Sequence, residues 1–316
     1  MIIQPVSATS DKVYLGGQSI GIELDYEGIM ITGTYDIEIN NKLYNPANEG
    51  FKVGDIIIQV NNSPVKSISE LMEQVEKYIQ KNQSITLTLK RNNQTIAKEL
   101  LFSKKDGQFS TGLYIQDGLT GVGTMTYYDP SNQTFGALGH IMEDSELSYD
   151  ITFQNGKIYH SYVKKIIPSK NGEPGSKIAQ IGTIAIGQIY TNNSFGIYGK
   201  YSQLPSNPIL IETSSIDEVK KGKAYFYTVL EGHTITKCEI EITHLKNQKE
   251  PKLKGITFKI VDKEILKKTN GVIQGMSGSP IVQNGKLIGC VTHVDISDVT
   301  QGYGLYIDWM LENSKS

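Results

Sequence analysis

Alternation of apolar and polar residues dominates this chain, and helical repeats are few. In the first hundred residues, LGGQSIGIEL (15–24) enters a β-branched run and GIMITGTY (28–35) predicts a second strand. FKVGDIIIQVNNSPV (51–65) predicts a turn at Gly54-Asp55, a strand over 56–60 and a turn at Asn61-Asn62. The period then changes. Leu71, Val75 and Tyr78 recur at helical spacing behind Ser67 and Glu70, an S-x-x-E capping box in which each side chain satisfies one open backbone donor. SITLTLKR (84–91) and TIAKELLF (95–102), turning at Asn92-Asn93, predict a closing hairpin, and KKDG (104–107) reads as a charged linker.

Beyond residue 110 the pattern is of short β-branched runs cut by Gly, Asn and Pro: 122–128, 135–138, 157–167, 181–190, 195–199, 208–213, 223–230, 235–244, 255–260, 280–283 and 286–294. Regular short strands with turn signals predict a sandwich or barrel, and this number fits two small barrels. A helix is expected only near the end, at LYIDWMLEN (305–313). KNQKEPKLK (246–254) reads as a solvated loop and SKNGEPGSK (169–177) as a Gly/Pro loop with room to move.

At 316 residues the chain is long enough for two domains. The formal net charge is −2, so no basic bias points to nucleic acid. Two cysteines, Cys238 and Cys290, exclude a disulfide-rich scaffold; one bridge between them stays open, with buried free thiols the blander reading. No H-E-x-x-H or clustered metal-ligand spacing occurs, so neither metal nor cofactor is expected. No run of about 18 apolar residues suggests a membrane span, and MIIQPVSATS lacks the basic region of a signal peptide.

The chemistry concentrates in GVIQGMSGSPIVQNGKLIGCVTHV (271–294). Gly275 and Gly278 flank Ser277 and permit a tight loop that aims the N–H groups of Gly275 and Ser277 at one point, an oxyanion hole. Asn284-Gly285 predicts a type I′ turn in the hairpin that follows. A serine hydroxyl needs a base. Of His140, His160, His233, His244 and His293, His140 stands out, because Gly136, Ala137 and Gly139 leave room beside its ring. His293 is the runner-up and is expected to pack beneath a specificity pocket; the other three look exposed. For the carboxylate that orients the base, Asp262 ends an apolar strand fifteen residues before Ser277, with Asp217, Asp150 and Asp144 left open.

Three resemblances follow from these residues. Residues 11–103, with GFKVGDIIIQVNN, a single long helix and a closing hairpin, resemble a PDZ domain. That resemblance implies a carboxylate-binding nest at Gln18, Ser19, Ile20 and Gly21, and a peptide that adds along Ile20–Leu24 and packs on Met72 and Val75. The loop around Ser277 resembles the nucleophile loop of chymotrypsin-like serine proteases. Together FGALGHIMED, GVIQGMSGSP, VTHV, TQGYGLYIDWML and LGGQSIGIEL resemble the stage IV sporulation protein B family, PDZ-containing serine peptidases of endospore-forming bacteria. The expected fold is therefore mainly β: an α+β PDZ domain over 11–105, then a chymotrypsin-like double β-barrel peptidase domain over 110–316.

The family resemblance implies a catalytic His140, Asp262 and Ser277. It implies self-processing and cleavage of a protein that regulates an intramembrane protease complex, in the space between forespore and mother-cell membranes. It also implies gating by the PDZ domain, through self-association or target binding, and an N-terminal membrane segment that this sequence does not show. The competing reading is a PDZ-based adaptor with a weak or partner-activated peptidase domain. A quality-control protease of the HtrA kind fits less well, because there the PDZ domain follows the protease.

Overall fold

The structure, a computed structural model, describes residues 12–81, 84–92, 94–105, 108–143 and 153–314. Its strands begin with β1 (Lys12–Leu15), β2 (Ser19–Thr34), β3 (Ile37–Ile39), β4 (Lys42–Tyr44), β5 (Ile56–Val60), β6 (Ser63–Pro64), β7 (Ile85–Arg91) and β8 (Gln94–Leu100). Next come β9 (Ser103–Lys105), β10 (Gln108–Ser110), β11 (Leu113–Asp129), β12 (Thr134–Ala137), β13 (Phe153–Ile167), β14 (Ser176–Asn193), β15 (Gly196–Tyr201) and β16 (Leu210–Thr213). The last are β17 (Gly222–Glu231), β18 (Thr234–Leu245), β19 (Ile256–Ile260), β20 (Pro280–Gln283), β21 (Lys286–Val294) and β22 (Gln301–Tyr306). The helices are α1 (Ile68–Gln80), α2 (Lys263–Thr269) and α3 (Ile307–Asn313).

The chain forms two compact units, and the smaller consists mainly of residues 23–119. Here β7 pairs antiparallel with β5 and with β8. Helix α1 buries Leu71 and Val75 in a core with Ile57, Leu87 and Leu89. Ser67 caps α1 as the sequence predicts, accepting from Glu70 N, but the Glu70 carboxylate accepts from Lys66 N rather than from Ser67 N. Asp55, 1% exposed, accepts from Arg91 at 2.5 and 2.7 Å. A fully desolvated carboxylate is tolerated only with such a bidentate partner. Of the residues read as a linker, Lys104 and Lys105 instead belong to β9, which pairs with β10; positions 106 and 107 lie outside the described residues.

The larger unit contains two closed rings. In one, each strand pairs antiparallel with the next in the order β17, β18, β19, β22, β21, β20 and back to β17. Period-two patterning places Ala224, Phe226, Cys238, Ile240, Ile256 and Phe258 inside. In the other, β11, β12, β15, β14 and β13 pair in sequence, and β2 pairs with both β13 and β11 to close the circle. Mainly β, with two six-stranded barrels in the larger unit, is the fold class the sequence predicts. The Asn284-Gly285 turn has φ of +52° and +79°, the left-handed pair a type I′ turn requires. Helix α2 is absent from the sequence reading.

The start of the chain departs from expectation. Residues 12–22 belong to the larger unit, where β1 pairs with β11 and β16. The glycine-rich entry forms no open nest. A Cβ on Gly16 would lie 2.1 Å from the Met125 carbonyl oxygen, and Gln18 O accepts from Met125 N. The Ser19 hydroxyl meets Ser161 Oγ at 2.7 Å, Ile20 is fully buried, and Gly21 faces Ile181. Ile22 and Leu24 are buried as well. The strand expected to receive a peptide is thus already paired: Ser19, Ile20 and Gly21 are buried, and half-buried Gln18 gives its carbonyl to Met125 N, so the four form no open carboxylate site. On α1, Val75 is core and Met72 is 38% exposed.

Candidate active site

Ser277 lies on the turn between α2 and β20, half-buried. Three carbonyls of this turn are held from β11. Thr124 Oγ1 donates to Gly275 O at 2.7 Å, Thr124 N to Ser277 O at 2.9 Å, and Thr126 Oγ1 to Gly278 O at 2.7 Å. Two more carbonyls set the direction of the candidate oxyanion donors. Lys177 N donates to Gln274 O at 3.1 Å and Ser279 N to Met276 O at 2.9 Å. In a trans peptide the N–H points opposite to its C=O. These bonds therefore orient Gly275 N–H and Ser277 N–H, and neither group makes a backbone hydrogen bond among the described residues. Such preset donors are what an oxyanion needs.

His140 arrives from β12. Leu138 (φ +67°) and Gly139 (φ +73°) form a left-handed pair that turns the chain at the strand end. Leu138, which is not glycine, pays a strain cost there. A Cβ on Gly139 would sit 2.4 Å from Cys290 Sγ, so the turn lies directly on β21. Beyond it, the Asn192 side chain grips Met142 through both backbone groups, at 2.9 and 2.8 Å. His140 Nδ1 lies 2.6 Å from Ile141 O. A proton on Nδ1 donates there and leaves Nε2 to accept.

Strand β21 joins the two halves. Ser277 Oγ donates to Thr292 O at 3.0 Å. The ring of the next residue, His293, lies 5.3 Å from that of His140, tilted at 45°. Gly278 packs on the backbone of Leu138. His293 Nδ1 is buried with no hydrogen-bond partner among the described residues. Burial, then the neighbouring His140 and Lys254 charges, push its imidazole down to about 4. His293 therefore stays neutral near pH 7 beside His140.

Asp262 is not brought into this group by any hydrogen bond of its carboxylate. Its Oδ1 accepts from Glu264 N and Ile265 N at the head of α2, and Oδ2 from Glu239 N at 3.5 Å. The signal was legible: an Asp before a short apolar and lysine-ended segment is an N-cap pattern. Asp217 lies in a short 3₁₀ turn, Ile216–Glu218, and Asp144 and Asp150 lie outside the described residues. His160, His233 and His244 are exposed, as expected. Cys238 and Cys290 are free and buried, and burial pushes the Cys290 thiol up to about 12.

Sequence reasoning missed Thr124, Thr126 and Lys177. The threonines have a signal, since they alternate in GVGTMTYYD and take core positions, both fully buried. Lys177 has none. It points inward while Ile178 points out, 45% exposed, the reverse of the hydropathy. Lys177 lies on β14, and the stretch before it, read as a loop over 169–177, is anchored rather than free, with Ser169 Oγ donating to Val272 O and accepting from Gly175 N.

A fold of PDZ unit and double-barrel unit, with a glycine-flanked serine beside a histidine, defines a serine peptidase. A family model described as SpoIVB peptidase S55 matches residues 107–311, and one described as a PDZ domain matches residues 21–100. The first spans more than half of the chain, and the chain belongs to the SpoIVB peptidase S55 family. No curated protein matches it. Among solved structures, the Rv3671c protease in its inactive form is 15% identical, covers 62% of this chain and 85% of that one, and gives a TM-score of 0.37. The active form of the same protease, from M. tuberculosis, is 15% identical over 63% and 73%, with a TM-score of 0.35.

Proposed function

We propose that this serine peptidase cleaves peptide bonds of a protein substrate with Ser277 as nucleophile and His140 as general base. Gly275 N–H and Ser277 N–H would hold the oxyanion. The observation that carries this reading is the shared footing of the two side chains on β21: Ser277 bonds Thr292 O, and the His140 ring lies against that of His293. For reaction the Ser277 proton is re-aimed from Thr292 O to His140 Nε2, and the acyl-enzyme then forms and is hydrolysed. From the family resemblance the proposal extends to self-processing and to cleavage of a regulator of an intramembrane protease complex during sporulation signalling. This would occur between the forespore and mother-cell membranes. PDZ gating or self-association stays part of the proposal, through surfaces other than the closed Gln18–Gly21 strand.

Parallel incubation of the chain and its Ser277→Ala variant, followed by intact mass and N-terminal sequencing, tests the core of it. New termini are expected from the chain alone, together with labelling by a serine-reactive phosphonate. If both stay intact and unlabelled, the adaptor reading replaces this one.

Asp262 is proposed as the orienting acid on the family resemblance, and its cap role makes one substitution decisive. Asparagine caps helices as well as aspartate does, so Asp262→Asn keeps the cap and removes the charge. Thermal stability is expected to hold while turnover drops at least about a hundredfold; loss of the acid costs about 10⁴ in a known triad. Full turnover would reassign the orienting role to the Ile141 carbonyl.

A further inference from the structure

The larger unit buries one lysine that the chemistry above does not use. Lys177 is 6% exposed, and its Nζ donates to Thr228 Oγ1 at 2.8 Å and to Thr124 Oγ1 at 3.3 Å. No carboxylate pairs with it among the described residues. Burial alone pushes its amine down to about 7. Such a group is costly to keep in a core, where an aliphatic side chain of the same shape would pack without penalty. Its placement gives it a use.

Both ends of Lys177 reach the turn before Ser277. The backbone N–H holds Gln274 O at 3.1 Å, and this fixes the plane that carries Gly275 N–H. The side-chain stem lies against Gly275, where a Cβ would come 2.9 Å from Lys177 Cδ. The amine braces the Thr124 hydroxyl, which donates to Gly275 O at 2.7 Å. The two peptide planes flanking Gly275, a residue at φ +90°, are thereby held from one residue. A glycine in that conformation is otherwise free to turn.

We propose that Lys177 is a positioning residue for the oxyanion hole: through its main-chain N–H and through Thr124 it holds Gly275 N–H at the angle that meets the developing charge. This rests on Ser277 being the nucleophile, as proposed above. Lys177 touches neither substrate nor the reacting atoms. Its effect is confined to the geometry of a donor, and so to the transition state rather than to binding.

The test is phosphonate labelling of Ser277 in the intact chain, with the maximal labelling rate separated from the half-saturating probe concentration. Lys177→Met fills the same space without the amine. It is expected to lower the maximal rate at least tenfold, leave the half-saturating concentration within about twofold, and melt no lower than the parent. Should Lys177→Met not fold, Thr124→Val breaks the same relay and is expected to give the same split, with Thr124→Ser restoring most of the rate. Parent-like labelling of Lys177→Met or, failing that, of Thr124→Val overturns the inference. So does a rate that falls only in proportion to the folded fraction. An unlabelled parent chain would instead count against the nucleophile assignment itself, which keeps the two failures apart.

Discussion

His140→Ala is expected to reduce turnover by about 10⁴–10⁶, and His293→Ala by no more than about tenfold. The first figure follows the cost of removing a general base from a serine peptidase; the hydroxyl of Ser277 is inert without proton transfer. The contrast between two rings 5.3 Å apart is the sharper part. His293 is pushed down to about 4 by burial first, and by the His140 and Lys254 charges second. A base that weak gains little from taking a proton near pH 7. Its neutrality matters in another way: on the proposed mechanism His140 becomes an imidazolium during acylation, and a second charge at that distance would oppose it. Removing the His293 ring leaves a gap beside His140, which loosens the base without deleting it. Labelling of each variant by the phosphonate at pH 7 measures both losses. Equal losses, or a larger one for His293→Ala, would move the base to His293.

The second large effect lies in the backbone. Gly278→Ala is expected to cost at least about 4 kcal/mol of stability and to abolish labelling of Ser277. At φ +88° a Cβ would lie 2.0 Å from Thr124 O and 2.5 Å from Leu138 N. Neither obstacle is the flexible end of a side chain. Relief requires β11 or the turn before His140 to move, and each carries part of the site. Gly285→Ala is the control. Its φ is +79° and nothing lies within 4 Å of the added carbon, so only the left-handed penalty of about 1–2 kcal/mol applies. Urea unfolding of the two variants measures the difference. Similar losses would show that conformational strain, not the approach of β11, sets the Gly278 requirement.

The sequence exposes features whose cause is local. The Asn284-Gly285 turn and the Ser67 cap each depend on a few neighbouring residues and form where the pattern predicts. The same holds for Ser277 on its glycine-flanked turn and for His140 after Gly139. By contrast, the runs read as two strands over 15–24 and 28–35 share one continuous β2. What stayed hidden depends on distant partners. Asp262 is the exception: its cap partners, Glu264 N and Ile265 N, are local, yet the sequence reading makes it only a strand-end carboxylate. The Gly16–Gly21 stretch has the glycines of a binding loop, yet β11 and β13 claim it. Lys177 faces inward against its own hydropathy, because two threonines from other strands supply its partners.

The two threonine hydroxyl bonds that anchor the nucleophile turn span 151 and 152 residues of sequence. The consequence is one of timing. Contacts this far apart in the chain close late, since loop entropy is lost before they repay it. A growing chain exposes Thr124 and His140 long before Gly275 has been synthesised. On the proposed assignment of Ser277 as nucleophile, reactivity is therefore among the last properties the molecule acquires, after the whole turn around Gly275 has been made.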